Sequence, residues 1–239
     1  MNIVLRCDPA LVDVLPQPIA ARQALPDWLR SMPAKAFSEL HGRDIRTVKQ
    51  CPPFIDAMAH GFMILLPCDV QVERGVFTWD WELPALTVDE HPKAPLSFHV
   101  AAQIAGAPFH DGHSNAIKFN SFWTIELESG WSLFATHPVN REVLPFRTLT
   151  GLVSADRFTD AGINFPAIWT RPDFTGVLPK GTPVAQCFPV PRMGLNLVVE
   201  PLSDQSAVQY TALVKEVLQT PGVYRKRFRA KLPSSGSSQ

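Results

Sequence analysis

The sequence predicts a mainly-β protein with a few helices, arranged as a single-domain β-sandwich or jelly-roll-like barrel with a C-terminal helix. Three observations predict this class. Short apolar or alternating runs recur between proline and glycine breaks, as in proteins built from many short strands. The 23 prolines among 239 residues are about twice the usual proportion, and proline cannot donate to a β-ladder. Only residues 206–228 keep a helical period over several turns.

The N-terminal quarter is predicted to hold an extended arm and two short helices. Residues 1–21 form the arm, because prolines bias the residues before them away from the helical region. Proline is also well suited to the first turn of a helix, and on this ground residues 26–30 and 53–60 are predicted to be helical. Gly61 then ends the second helix, since glycine adopts the left-handed conformation that closes many helices.

Strands are predicted from residue 62 onward. The continuous apolar run 62–66 is typical of a strand buried on both faces. Alternating residues on either side of a turn predict one hairpin over residues 70–81 and a second whose strands meet at Ser129-Gly130. Residues 195–199 supply a further strand. The other predicted strands lie between proline and glycine breaks, at residues 151–153, 175–178 and 183–188.

These elements predict one domain, because no repeat or linker divides the middle of the chain. Pro221-Gly222 breaks the terminal helical segment, which then resumes as a short basic helix. The predicted divisions are an extended N-terminal arm (1–21), a β-rich core domain (22–205), a C-terminal helical segment with a basic end (206–231) and a disordered tail (232–239).

Charge is balanced overall but unevenly distributed. Lys and Arg number 22, as do Asp and Glu. Residues 225–231 hold five cations and no anion, which leaves 17 cations against 22 anions elsewhere. Such a basic end can contact nucleic acid or complement a helix dipole, and the second interpretation is favoured because no other basic patch accompanies it. Nucleic acid is therefore not an expected partner, whereas a homo-oligomer is compatible with the sequence.

The sequence predicts a cytoplasmic protein with no membrane partner. The first residues lack the pattern of a secretory signal, and the longest apolar run is too short to span a membrane. The four cysteines are widely spaced and form no CxxC motif, so reduced thiols are favoured over disulfides.

Three motifs carry a resemblance to a known family. They are KQCPPFID at residues 49–56, KFNSFW with GWSLF within residues 118–134, and PKGTPVAQ at residues 179–186. Together they resemble a family of uncharacterised bacterial proteins with relatives in tailed phages, over roughly residues 22–230. The resemblance implies kinship and brings no reaction with it.

Three histidines are candidate metal ligands. His110 and His113 stand before the second predicted hairpin and His137 follows it, so the two ends of that hairpin would bring them together. Two imidazoles with a carboxylate such as Asp111 suit non-haem iron or zinc. The alternative is a polar loop with exposed histidines.

Two residues of the first motif are candidate catalytic groups. Cys51 precedes a predicted helix and follows Lys49, and both influences stabilise a thiolate; the alternative is a small buried apolar residue. Asp56 lies in an apolar stretch, so its carboxylate is exposed, paired with a cation or functional. Arg141 and Arg147 are its candidate partners, in which case a structural salt bridge is the leading alternative.

Arg141 and Arg147 are also candidates for orienting an anionic substrate. In that hypothesis Trp123, Trp131 and Trp169 line the pocket in which the substrate binds. The alternative is that these tryptophans belong to the core, as aromatic residues at strand positions usually do.

The function predicted from these groups is an enzyme that acts on a small, anionic molecule. If the histidines converge, iron or zinc activates water or dioxygen, as in a metal-dependent oxidoreductase or hydrolase. The alternative is a non-catalytic oligomeric assembly or interaction protein of the phage-related type. P-loop, dinucleotide-binding, nucleophile-elbow and zincin motifs do not occur, so those enzyme classes lose their usual support.

Overall fold

The computed structural model describes residues 1–109 and 116–230, and over these residues the chain divides into two compact units. We call residues 1–31 and 57–192 the core unit, and residues 32–56 with those from 193 onward the arm unit. The chain crosses between the two units three times. The predicted core domain, residues 22–205, stays a prediction, and the predicted tail, residues 232–239, lies outside the described residues. No helix in the described ranges combines the length and apolarity that crossing a membrane requires.

The described residues form sixteen strands and three α-helices. The strands are β1 (Val4–Arg6), β2 (Ile19–Ala20), β3 (Lys35–Ser38), β4 (Arg43–Arg46), β5 (Phe62–Leu65), β6 (Val70–Glu73), β7 (Val76–Thr78), β8 (Leu96–Phe98), β9 (Ala116–Phe119), β10 (Thr124–Glu126), β11 (Trp131–Thr136), β12 (Phe146–Thr148), β13 (Gly151–Val153), β14 (Phe165–Trp169), β15 (Thr175–Leu178) and β16 (Pro183–Pro191). The helices are α1 (Asp27–Ser31), α2 (Pro52–Ala59) and α3 (Asp204–Gln219), with a π-helical turn at Tyr224–Phe228. Short 3-10 turns occupy Pro9–Leu11, Ala21–Ala24, Glu39–His41, Val48–Gln50 and Ala101–Ile104. The mainly-β prediction is confirmed, and the sandwich or jelly-roll arrangement stays a prediction.

The core unit contains four antiparallel sheets. The largest has the strand order β13-β11-β16-β5-β2, and a four-stranded sheet has the order β12-β14-β9-β8. A three-stranded sheet, β15-β6-β7, and the pair β1-β10 complete the unit. Most of these neighbours are distant in sequence, so the architecture depends on long-range pairing rather than on consecutive hairpins.

A continuous apolar cluster fills the core unit. Phe119 packs edge-on against Phe146 at 4.7 Å between ring centroids, and Trp169 belongs to the same cluster. In β6 the side chains of Val70 and Val72 are buried while those between and after them are exposed. Burial of each large apolar side chain contributes about 1.5–3 kcal/mol, so this cluster supplies most of the hydrophobic free energy that stabilises the folded core unit.

Both short helices and the first buried strand confirm the sequence prediction. Helices α1 and α2 lie where proline was expected to open them, and β5 lies buried between β2 and β16. Gly61 ends α2 with φ of 73°, and a Cβ there would lie 2.1 Å from the carbonyl oxygen of Cys187. Glycine is therefore required both by the backbone conformation and by the close approach of β16.

One of the two predicted hairpins is confirmed and the other is wrong. Strands β6 and β7 pair around Arg74-Gly75, whose φ angles of 48° and 83° fit the turn that joins twisted antiparallel strands. By contrast, β10 pairs with β1, whereas β11 pairs with β13 and β16. The turn at Ser129-Gly130 forms, but β11 gains six paired residues with β16, so the strands on its two sides enter different sheets.

Arg192 clamps the end of β16. Its Nη1 donates to the carbonyl oxygen of Trp131 at 3.2 Å and to Asp156 Oδ1 at 2.5 Å. The backbone N–H of Gly130 donates to the other carboxylate oxygen of Asp156 at 2.9 Å. The guanidinium and this hydrogen-bonding hold the pKa of Asp156 below its ordinary value, so the pair is ionised at neutral pH.

The arm unit has its apolar residues on the outside. It comprises the exposed hairpin β3-β4, the segment that leads into α3, α3 itself and the π-helical turn. Ser203 caps α3, its Oγ accepting from the N–H of Ser206 at 3.2 Å, yet α3 buries none of its residues. Val223 is the one buried residue in the described part of this unit. The predicted break at Pro221-Gly222 is confirmed, because α3 ends before it and the π-helical turn follows it.

The strand predicted at residues 195–199 is wrong. Residues 193–202, which we call the exposed arm, form neither helix nor strand and make no hydrogen bond with the described chain. Leu197 is 87% exposed and Val199 is 94% exposed. The apolar run suits a strand, but no strand in the described parts of the chain lies beside it to complete a ladder.

Candidate functional site

The predicted site residues lie in several different surroundings. His110 and His113, with Asp111, lie outside the described residues, so the structure does not locate the predicted metal site. Among the described residues, no group of three His, Cys, Asp or Glu side chains is placed to hold a metal ion. Three of the other predicted residues, His137, Arg141 and Arg147, are brought together in the core unit.

A cleft opens where the chain leaves β11 and returns as β12. We call it the His137 cleft; it has a volume of about 500 Å³ and is lined by His137, Glu142, Arg147 and Thr170, with Leu144 and Phe146 as its apolar wall. The cleft thus holds an imidazole, a carboxylate and an exposed guanidinium, a combination that can bind an anion and move a proton.

Both ring nitrogens of His137 are engaged by the backbone. The N–H of Thr148 donates to Nδ1 at 3.3 Å, so Nε2 carries the hydrogen and donates to the carbonyl oxygen of Arg141 at 3.2 Å. Burial lowers the pKa of His137, which is therefore neutral at pH 7. A metal at either nitrogen would have to replace one of these hydrogen bonds, so in this geometry His137 holds the loop that forms the cleft.

The two arginines play different parts in this geometry. Arg147 is exposed and lines the His137 cleft. Arg141 is half-buried, its burial lowers the pKa of the guanidinium, and the charge of Asp27 opposes this effect. Within the described chain, Nη2 of Arg141 is buried without a hydrogen-bond partner. Arg147 is therefore the residue placed to meet an anion in the cleft.

Gln186 is a positioning residue that the sequence analysis did not single out. Its side chain is fully buried, its Oε1 accepts from the N–H of Val139 at 3.0 Å, and its Nε2 donates to the carbonyl oxygens of Ala57 and His60 at 3.0 and 2.8 Å. It thereby ties the cleft loop to the end of α2. The signal in the sequence was a lone amide inside the apolar run of β16.

The sheet register places the start of β9 near the His137 cleft. Arg147 pairs with Ile168 on β14, and Ile168 pairs with Ala116, the first residue of β9. Ala116 therefore lies two strand spacings, about 10 Å, from Arg147. The sequence placed His110 and His113 near His137 because of a hairpin that does not form. The pairing of β12, β14 and β9 instead brings Ala116 to the end of the sheet where Arg147 lies.

The three tryptophans predicted to line one pocket have separate environments. Trp169 is buried in the main core, where its Nε1 donates to the carbonyl oxygen of Arg171 at 2.7 Å. Trp123 belongs to a second, smaller apolar cluster. Trp131 is half-buried and borders a mainly apolar cavity of about 580 Å³, with Phe62 on another side. The core interpretation holds for the first two.

Cys51 and Asp56 belong to the arm unit, whereas the residues of the His137 cleft belong to the core unit. Cys51 is exposed immediately before α2, and the ammonium of Lys49 donates to the carbonyl oxygen of Met32 at 2.8 Å. Asp56 accepts two hydrogen bonds from Arg229, at 3.0 and 2.5 Å, and not from the arginines expected from the sequence. The salt-bridge interpretation of Asp56 therefore holds with a different partner. All four cysteines are free, as predicted.

Compared with models of protein families and with curated proteins, the chain has no match. The motif resemblance to bacterial and phage proteins stays a prediction.

Proposed function

We propose that this chain is a self-assembling protein that uses its arm unit to bind a second copy of itself. The observation that carries the proposal is the exposed arm, whose mostly apolar run 195–199 suits a strand but pairs with no strand of the described residues. A second chain can supply that partner, because extended segments add readily to the open edge of a sheet.

The apolar surface of the arm unit supports the same proposal. Large apolar side chains are exposed on all of its elements: Phe37, Leu40, Leu195, Leu197, Val199, Val208, Leu213, Val217 and Leu218. Single exposed apolar residues are ordinary in a monomer, but such a concentration in one unit is typical of a surface that a partner covers. Each of these side chains that becomes buried contributes about 1.5–3 kcal/mol before the costs of association.

Charge favours a contact between the arm unit of one copy and the core unit of another. The residues of the core unit include 12 Lys and Arg against 16 Asp and Glu, a net charge of −4, whereas those of the arm unit include 10 against 6, a net charge of +4. Two like units would repel each other, and opposite units attract. The ten residues of the exposed arm can span about 35 Å when extended, which is enough to reach a neighbouring copy.

Light scattering coupled to size-exclusion chromatography tests the proposal. The full chain is expected to have at least twice the 26.5 kDa mass of a single chain. The triple variant Leu195→Ser, Leu197→Ser, Val199→Ser is expected to shift the mass to that of one chain. Val143→Ser and Val88→Ser, which change exposed apolar residues that belong to no strand of the core unit, are matched controls expected to keep the wild-type mass. A wild-type chain that stays monomeric over a wide range of concentrations would refute self-assembly.

A second candidate function is an enzyme that acts on a small anionic molecule in the His137 cleft. It is favoured by the exposed Arg147 in that cleft and by the register that brings Ala116 to the same end of the sheet. Under this proposal the side chains of His110 and His113 bind iron or zinc. Metal analysis of the purified chain and of His113→Ala tests it: a stoichiometric metal that is lost in the variant supports the site, and the same metal content in both contradicts it.

A further inference from the structure

The basic run at the end of the described chain divides into paired and unpaired cations. Arg227 forms an ion pair with Glu216, and Arg229 forms one with Asp56. These two arginines fasten the π-helical turn to the rest of the arm unit. Arg225 and Lys226, which stand beside them in the sequence, form no ion pair within the described chain.

The unpaired cations line a cleft that a third cation completes. This cleft, which we call the basic cleft, has a volume of about 320 Å³ and is bordered by Arg46, Gln50, Tyr224, Arg225 and Lys226, with prolines and valines as its other walls. None of its lining residues is acidic, and Arg46 likewise forms no ion pair in the ranges that the structure describes. Three cationic side chains therefore line one small cavity, and no described carboxylate forms an ion pair with any of them.

The backbone turn at Gly222 contacts one of these cations, Arg46, and the turn itself is fixed by burial. Gly222 turns the chain between α3 and the π-helical turn with φ of 84°, and a Cβ there would lie 3.2 Å from Nη1 of Arg46. The guanidinium thus packs directly over the turn. The side chain of Val223, which is only 3% exposed, anchors the turn by its burial. The side chain of Gln50 is fixed as well, since its Nε2 donates to the carbonyl oxygen of Ala34 at 3.1 Å.

We propose that the basic cleft binds the phosphate groups of a small phosphorylated molecule. Arginine and lysine together suit phosphate oxygens, because the guanidinium offers a planar set of donors and the ammonium a compact charge. A cluster of three cations matches a ligand with two or more negative charges better than a single carboxylate. Tyr224 and Pro52 provide an apolar wall on which the uncharged part of such a ligand can rest.

The shape of the site favours a small ligand over a nucleic acid strand. A strand requires a groove that continues over several nucleotides and cations spaced along it. Here the neighbouring Arg227 and Arg229 are already neutralised by carboxylates, so the positive charge is concentrated at one cavity.

Isothermal titration calorimetry of the full chain with inorganic pyrophosphate and with ADP tests this inference. Both probes are expected to bind and to compete with each other, whereas adenosine is not. Arg46→Gln and Lys226→Gln are each expected to weaken binding by about tenfold, the loss of one charged hydrogen-bonding partner. Arg43→Gln and Lys215→Gln remove the same charges from β4 and α3 outside the cleft, and they are expected to leave affinity within about twofold.

Two results would overturn the inference. The first is no binding of either probe, or equal losses in the cleft variants and their controls, which would show only general attraction to a basic surface. The second is tight, strongly salt-dependent binding of a single-stranded oligonucleotide that pyrophosphate does not displace, which would assign the basic surface to nucleic acid. The inference is independent of self-assembly, because light scattering on the same variants reports the oligomeric state separately.

Discussion

The core unit and the arm unit differ in where they keep their apolar residues. Apart from Val223, every fully buried apolar residue in the described chain belongs to the core unit. In β6 of the core unit an alternating sequence has one face buried, whereas the apolar run 195–199 of the exposed arm is exposed along its whole length. A strand-like sequence thus becomes a strand only where a neighbour completes its ladder: β3 and β4 of the arm unit pair with each other, whereas the exposed arm has no partner strand among the described residues.

The largest expected effect tests whether the core unit carries the stability of the monomer. Phe119→Ala removes a ring that is 1% exposed, so it is expected to lower the free energy of unfolding by about 3–5 kcal/mol. Leu197→Ala in the exposed arm is expected to change it by less than about 0.5 kcal/mol in the monomer. Urea denaturation, at a concentration where the chain is monomeric, measures both. Equal losses would mean that the arm packs in a core of its own chain.

A smaller loss is expected when the amide of Gln186 is removed. Gln186→Leu keeps the volume but leaves the N–H of Val139 and the carbonyl oxygens of Ala57 and His60 without their partner. We expect a loss of about 2–4 kcal/mol in the free energy of unfolding, since each buried unsatisfied group costs about 1–3 kcal/mol. Gln71→Leu, at an exposed position of β6, is the matched control. Thermal unfolding measures both variants. Equal losses of stability would show that the buried hydrogen bonds of Gln186 do not stabilise the fold.

The third effect is a pH dependence that belongs to the core unit. The folded pKa of His137 lies below its unfolded value of about 6.5, so between the two values the unfolded state binds more protons. Stability is therefore full above pH 6.5 and falls as the pH drops toward the folded pKa. His137→Asn is expected to flatten this part of the curve, whereas His60→Asn, at an exposed site, is not. Melting temperature measured across pH 4–8 decides between these outcomes.

The smallest effect is a difference in thiol reactivity that requires no change in stability. Cys51 of the arm unit is exposed and is expected to react first with a thiol reagent. Burial raises the pKa of Cys187, and it raises that of Cys68 to about 11, assisted by the charge of Asp69. These two thiols are expected to react only when the core unit opens. Mass spectrometry of partially labelled chain identifies the order, and early labelling of Cys187 would contradict a closed core.

Local signals in the sequence predicted the local parts of this structure. The β6-β7 hairpin depends on alternation and on two turn residues, both of which are visible within twelve positions. The partner of β11 is β16, more than fifty residues away, and no local pattern distinguishes it from β10. This long separation in sequence explains why the second hairpin prediction was wrong, whereas the first, which depends on neighbouring residues, was confirmed.

The candidate sites show the same limit. His137, Arg141 and Arg147 are close in sequence, and the loop between β11 and β12 brings them together in space. The partner of Asp56 is Arg229, 173 residues away, which charge and composition alone cannot select. The basic cleft escaped prediction for a related reason: Arg46 stands in a different part of the sequence from Arg225 and Lys226.

The clamp at Arg192 has a mechanical consequence. The exposed arm begins at the next residue, so any force that a neighbouring copy applied along the arm would enter the core unit through Arg192. Its hydrogen bonds with Trp131 and Asp156 distribute that load to β11 and to the turn after β13, so the ladder of β16 does not carry it alone. In an assembly built on such arms, the ion pair of Arg192 with Asp156 would be the first side-chain contact of the core unit to carry load.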